Sequence, residues 1–311
     1  DWFTCNNLPN INRINLTYCL TTSGTVRSEY TIVRKSEDEF YLISAGALTD
    51  YDKDYLIKKA QDKEKEFGYI EIQDVTSQFG TFAIAGPKSK ELLISLTNSE
   101  NPEQLFSNEN FPWLSSKEIE INMIPTLAIR VAYTGELGWE LHYPVEFQNK
   151  LLDLLLLSGK NFDLKLVGSR AQNWLRQEKS YRAFGNELGR DACLVEAGLE
   201  KFINFNKEFL GKDALQKRNI KSKCVTLLID GPKDCDPWGR EAIYKDGKTI
   251  GRLTSGGYSV FFEKSIGMGY VDKIYANVGE KLKIKMLNQL WPATIVEDSP
   301  YDQKNSKIRN K

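Results

Sequence analysis

A chain of 311 residues is long enough for at least two domains with apolar cores of their own. Its 42 basic and 42 acidic side chains cancel to a formal charge of zero, which argues against nucleic acid or an anionic membrane as partner. A single histidine and five cysteines without a C-x-x-C pair exclude His-rich metal sites and disfavour a zinc cluster, so no metal is expected and acid–base chemistry falls mainly to carboxylates.

The chain opens on Asp1-Trp2-Phe3 rather than Met and is in strand-like pattern within twenty residues. It reads as the C-terminal part of a longer polypeptide. Residues 25–34 and 39–45 are β-branched and aromatic with rough alternation, a hairpin entered through the turn at Ser23-Gly24. Residues 52–67 form a charged, solvent-facing helix that Gly68 can end. Strands are expected at 69–73 and 81–85, and Gly86-Pro87 opens a helix over 88–96. After a polar segment, strands at 117–122 and 126–132 lead through the turn 133–138 to a strand at 139–143. Helices follow at 145–157 and 169–179.

From Lys223 onward, six short strands recur between turns at 225–229, 241–244, 249–255, 267–271, 281–287 and 291–296. That is the pattern of a compact β-barrel or jelly-roll-like domain. The polar, basic stretch 212–223 marks a boundary, giving domains over 1–215 and 216–311, with a frayed tail from Asp302. The longest apolar run, Leu151 to Leu157, is interrupted by Asp153 and is too short for a membrane span. With no signal-peptide pattern and an odd cysteine count, a cytoplasmic location is expected, or the mitochondrial matrix in a eukaryote.

The stretch from Arg130 to His142 carries the most chemistry. Two strands joined by a Gly-containing turn bring Tyr133 and Glu140 together, and alternation puts Glu140 and His142 on one face, Trp139 and Leu141 on the other. An aromatic and a carboxylate then border one concavity.

This Y-T-G-E-x-G-W-E-L stretch resembles the folate-binding signature of the glycine-cleavage T-protein (aminomethyltransferase) family. Residues 175–185 (LRQEKSYRAFG), 196–202 (EAGLEKF), 209–215 (FLGKDAL) and 254–259 (TSGGYS) are most similar to the folate half of dimethylglycine and sarcosine dehydrogenases. The resemblance runs from Asn6-Asn7-Leu8-Pro9 to Pro300-Tyr301-Asp302. It implies a three-part α+β fold, a C-terminal β domain, and tetrahydrofolate held between the parts.

By the same resemblance Glu140 matches the pterin-binding carboxylate. Its two acceptor oxygens suit the parallel ring N–H and amino donors of a pterin. Tyr133 matches the aromatic residue bordering the folate, with Leu141 and His142 completing the wall. Glu29 takes the place of the catalytic acid, with Tyr30 and Thr31 beside it in the folate site. A carboxylate there suits the chemistry, because an anion stabilises an iminium-type cation and can move the proton lost from nitrogen.

Two departures bear on the branch. Gln172-Asn173 stand where T-proteins acting on a lipoyl carrier have Arg-Asp, and no cysteine lies in 207–212, where an iron–sulfur assembly relative carries one. No G-x-G-x-x-G opens a strand-turn-helix unit, so FAD is expected only in an upstream domain or separate flavin subunit. The resemblance thus implies one-carbon transfer from an N-methylglycine derivative (dimethylglycine or sarcosine) to folate, forming 5,10-methylenetetrahydrofolate. The alternatives are a lipoyl-dependent aminomethyltransferase and a folate-binding regulatory or assembly module without turnover.

Overall fold

The computed structural model describes residues 2–232 and 234–310. Strands β1 (Ile14–Leu20), β2 (Val26–Arg34) and β3 (Phe40–Ile43) form an antiparallel sheet. The β1–β2 turn is tied by Thr21 N–H donating to the Thr25 carbonyl at 2.8 Å. Gly24 sits there at φ +77°, and a Cβ would fall 2.6 Å from the Leu215 nitrogen, so both conformation and space require glycine. Just beyond the turn the register slips: Cys19 pairs with Ser28 and Leu20 with Val26, leaving Arg27 as a bulge. Arg27 and Ser28 consequently both reach Asp52 on helix α1 (Thr49–Phe67), at 2.9 and 2.6 Å.

The second sheet, in the order β4 (Phe79–Ala85), β7 (Gly138–Pro144), β6 (Ile124–Ile129), β5 (Ser116–Ile121), is antiparallel throughout. On one face Trp139, Leu141 and Tyr143 join a core with helices α2 (Ser89–Leu96) and α4 (Gln148–Gly159), beside the short helix α3 (Pro102–Leu105). On the other, Leu127 and Ile129 pack with Val33, Tyr41 and Ile43 of the first sheet. The two sheets therefore lie face to face.

Helices α5 (Ser169–Glu178) and α6 (Lys212–Gln216) lead to a closed six-stranded barrel. Its strands are β8 (Ser222–Ile229), β9 (Ala242–Lys245), β10 (Lys248–Ser259), β11 (Lys264–Asp272), β12 (Lys281–Met286) and β13 (Gln289–Val296), in the order β10-β11-β8-β13-β12-β9. Inward positions such as Leu227, Ile243, Leu253 and Ile284 fill it. The family of elements is the α+β arrangement expected, with a closed barrel rather than a jelly roll. The expected boundary at 215/216 falls inside α6. No helix among the described residues is long and apolar enough to cross a membrane.

Two local expectations fail. Residues 69–73 form no strand: Tyr69 is 79 % exposed and lies in an open loop, where β propensity has no partner strand to satisfy it. The tail is not frayed. The buried Lys179 ammonium donates to the carbonyls of Tyr301 and Asp302 and to Asn305 Oδ1, each at 2.9 Å, and a short helix α7 (Ser306–Arg309) buries Ile308.

Candidate active site

Tyr18 and Glu29 are directly opposed on β1 and β2, so both side chains emerge on one face of the sheet. The Tyr18 hydroxyl hydrogen-bonds to the Glu29 carboxyl, and one oxygen of that carboxyl, Oε2, is buried with no partner among the described residues. Burial outweighs the Tyr18 hydrogen bond and pushes the Glu29 pKa up to about 7. The same burial, with the Glu29 charge, holds the Tyr18 phenol well above its usual range. An acid with an unsatisfied oxygen and a pKa near neutrality is placed for ligand contact and proton transfer.

Tyr133 shares this environment. Its ring stacks on Tyr181, with centroids 6.0 Å apart and planes 19° from parallel. Its phenol pKa is raised, chiefly by burial of the hydroxyl end, with the Glu29 and Glu187 charges adding and Arg176 opposing. The turn is held from behind. Gly135 lies at φ +83°, where a Cβ would meet the Lys179 stem at 2.5 Å, and Glu136 accepts a hydrogen bond from Tyr301. Lys179 and the C-terminal segment thus form a brace behind Tyr133.

Glu140 and His142 are two residues apart on β7, opposite Ile129 and Leu127 of β6, on the face turned to the first sheet. His142 Nε2 lies 3.6 Å from Glu140 Oε2. The buried imidazole's Nδ1 is 3.3 Å from the Tyr41 hydroxyl and 3.2 Å from Thr81 Oγ1, which fixes the ring in place. Glu140 keeps about a third of its side chain exposed. Glu29 and Thr31 of β2 share the face that carries Val33 toward this sheet.

Glu29, Thr31, Glu140 and His142 therefore project into the layer between the two sheets, and the Glu29 charge acts on Tyr133. Two expected side chains do not join them. Leu141 points into the core with Trp139, and Tyr30 packs with Cys19, Ile32 and Phe3 on the opposite face of β2. Strand alternation places both away from the layer, leaving only their backbones near it.

Residues 176–182 supply what the local sequence reading missed. All but Tyr181 are buried, and nearly all are polar. Arg176 pairs with Glu187 at 2.9 Å and donates to Ser255 at 2.6 Å. Gln177 donates to the Gly256 carbonyl, Glu178 accepts from Ser259, and Arg182 pairs with Asp298 at 2.7 Å. The signal available was compositional: a run of charges in a stretch that ends a helix normally marks a solvated face, and only its partners in the barrel make it a buried one. Among the described residues no group of three or more His, Cys, Asp or Glu side chains is placed to hold a metal.

Comparison with known proteins agrees with this fold. The GCVT N-terminal domain matches residues 1–207, and the glycine cleavage T-protein C-terminal barrel domain matches residues 223–302. The mitochondrial dimethylglycine dehydrogenase of Homo sapiens is 34% identical over 308 residues, covering 96% of this chain and 34% of that protein. The chain thus spans about a third of the length of that relative. The aminomethyltransferase of Caldanaerobacter subterraneus subsp. tengcongensis is 31% identical over 302 residues, covering 96% of this chain and 77% of its own. The crystal structure of the glycine cleavage system aminomethyltransferase T from Bartonella henselae has the same fold, with a TM-score of 0.79 at 21% identity over 95% of this chain and 78% of that one. The protein belongs to the glycine cleavage T-protein family.

Proposed function

We propose that the protein is a tetrahydrofolate-dependent one-carbon transferase that takes an iminium-level fragment from an N-methylglycine derivative. The observation carrying this reading is the Glu29 carboxyl opposite Tyr18, with Oε2 buried and without a partner among the described residues and its pKa pushed up to about 7. The residues present fit a reduced folate. Glu140 offers two acceptors to the pterin's parallel donors, and its neighbour His142 is too well buried and tied to swing away. Tyr133, stacked on Tyr181, supplies an aromatic wall, and the backbones of Tyr30 and Leu141 flank the layer.

When bound, folate supplies a nucleophilic amine pair that accepts the one-carbon unit. Glu29 in its ionised form stabilises the cationic carbon, and with a pKa near neutrality it also holds the proton released from nitrogen before passing it on. Burial of Glu29 Oε2 keeps water from that oxygen. Oxidation of the donor is assigned to a separate domain or subunit, since this chain covers only 34% of the similar dimethylglycine dehydrogenase.

A lipoyl-dependent aminomethyltransferase is the second reading, favoured by a relative of which the chain covers 77%. Gln172-Asn173 in place of Arg-Asp speaks against it. To separate the two, the protein is supplied with tetrahydrofolate and either a dimethylglycine-oxidising flavoenzyme with its substrate or an aminomethylated lipoyl carrier. Methylenetetrahydrofolate should form with the first donor and fall sharply in Glu29→Ala. Formation only with the second would establish the alternative, and formation with neither would reduce the protein to a folate-binding module.

A further inference from the structure

The two ring nitrogens of His142 stand in unequal surroundings. The side chain is 3 % exposed, and its Nδ1 faces two hydroxyls on different strands: Tyr41 of β3 at 3.3 Å, and Thr81, its register partner on β4, at 3.2 Å. The Tyr41 ring also stands edge-on to the imidazole, with centroids 5.5 Å apart. Nε2 is buried as well, yet it has no hydrogen-bond partner among the described residues. Glu140 Oε2 lies 3.6 Å from it, beyond hydrogen-bond reach. A buried polar atom left in this state calls for a partner.

The partners on the page decide which nitrogen carries the proton. A phenol and an alcohol can both donate to an unprotonated Nδ1, whereas an unprotonated Nε2 would set its lone pair against the Glu140 carboxylate. The proton therefore belongs on Nε2, and Nε2–H is a donor whether or not Nδ1 is protonated too. Tyr41 and Thr81 act as the outer partners that fix the tautomer and the ring plane. Glu140 and His142 thus present a carboxylate with a fixed donor beside one of its oxygens, on the face of β7 turned to the first sheet.

A ligand whose two parallel donors lie on Glu140 meets that third group at the edge of its ring. In a pterin the ring N–H stands between the amino group and a ring carbonyl. On the carbonyl side the His142 Nε2–H finds an acceptor; on the amino side it would face the amino group's second hydrogen. We infer that His142 donates to the ring carbonyl of the bound pterin, which sets the ring's orientation on Glu140 and makes His142 a specificity-determining residue. It separates a ring bearing that carbonyl from one bearing an amino group at the same carbon. The inference rests on the folate reading above and sharpens it from two donors to a donor–donor–acceptor pattern.

Titration calorimetry with tetrahydrofolate and with tetrahydroaminopterin, which has an amino group in place of that carbonyl, tests it on the wild type, His142→Gln, His142→Asn and His142→Leu. Glu140 by itself favours tetrahydrofolate, because the analogue lacks the ring N–H. The quantity read is therefore the change in the ratio of the two affinities, from which a general loosening of the site cancels. The Gln amide reaches the Nε2 position with an N–H. The Asn amide stops near Nδ1, where it still serves the two hydroxyls, and Leu has no donor at all. The wild-type preference should hold within about threefold in His142→Gln and fall about tenfold in His142→Asn and His142→Leu, the effect of one buried donor lost. An unchanged ratio in His142→Asn and His142→Leu, with both ligands weakened alike or neither weakened, would overturn the inference and leave the folate reading standing. A preference lost as completely in His142→Gln as in His142→Asn would overturn it too. Failure of the wild type to bind tetrahydrofolate would defeat the folate reading and the inference with it.

Discussion

The C-terminal barrel and the segment 176–187 bury their side chains to a similar degree with opposite chemistry. Inside the barrel Leu227, Ile229, Leu253 and Ile284 pack together in one apolar cluster. In the segment, Arg176 is 1 % and Lys179 2 % exposed, and the charges of Arg176, Lys179 and Arg182 are each matched by a group elsewhere: Glu187, Ser255, the Tyr301 carbonyl, Asp298. Apolar burial is non-directional and stabilises the barrel wherever it sits. Buried charges are tolerable only with their partners in place, so they dictate how the barrel, the tail and the turn at Tyr133 sit together. The barrel supplies stability, and the polar segment supplies the geometry of the site.

The largest effect that would break this contrast is expected from Glu187→Ala, which leaves Arg176 buried and unpaired. Such a loss costs about 3–5 kcal/mol by urea unfolding. The pair Arg176→Met, Glu187→Leu sharpens the point: stability should largely return while folate affinity stays low, because the apolar pair no longer orders Ser255 and the Tyr133 surroundings.

Next comes the brace. Lys179→Met should cost on the order of 2 kcal/mol by removing charge-assisted bonds to three tail groups. Limited proteolysis should then release the tail beyond Asp298, and affinity for folate should fall with it. An intact tail with weakened binding would move the role of Lys179 to the turn alone.

A smaller effect is pH-dependent. The folded Glu29 pKa, about 7, lies above the unfolded carboxylate value near 4.5. Ionisation is therefore disfavoured by folding, so this group's contribution is fully present below about pH 4.5 and is lost as pH rises through 7. Glu29→Gln should remove that slope and stabilise the protein above neutrality by about 1–3 kcal/mol, read as a higher Tm at pH 8 with little change at pH 4. The smallest change belongs to the barrel, where Ile284→Val should cost about 0.5–1.5 kcal/mol and leave folate binding untouched.

Much of this was legible in the sequence because alternation and turn residues are local. The β2–β3 hairpin, the helix over α1 and all six barrel strands follow from period and punctuation. The strand expected at 69–73 failed because propensity cannot supply a partner, and the tail seemed free because its anchor, Lys179, lies more than a hundred residues earlier. Glu29 and Glu140 were singled out through resemblance. Tyr18 was not, since its place opposite Glu29 depends on the β1–β2 register. The Leu141 and Tyr30 side chains point away from the layer, because consecutive strand residues alternate between faces.

In the proposed function a reduced folate seats its pterin on Glu140 and its reacting nitrogens near Glu29. Calorimetric titration of tetrahydrofolate into the wild type, Glu140→Gln and Glu29→Ala tests it most directly. The Glu140→Gln amide presents a donor to a donor, so affinity should fall by roughly ten- to a hundredfold. In Glu29→Ala it should stay within a few-fold, because that charge acts on the reacting centre. Unchanged affinity in Glu140→Gln, or equal losses in the two variants, would contradict the account.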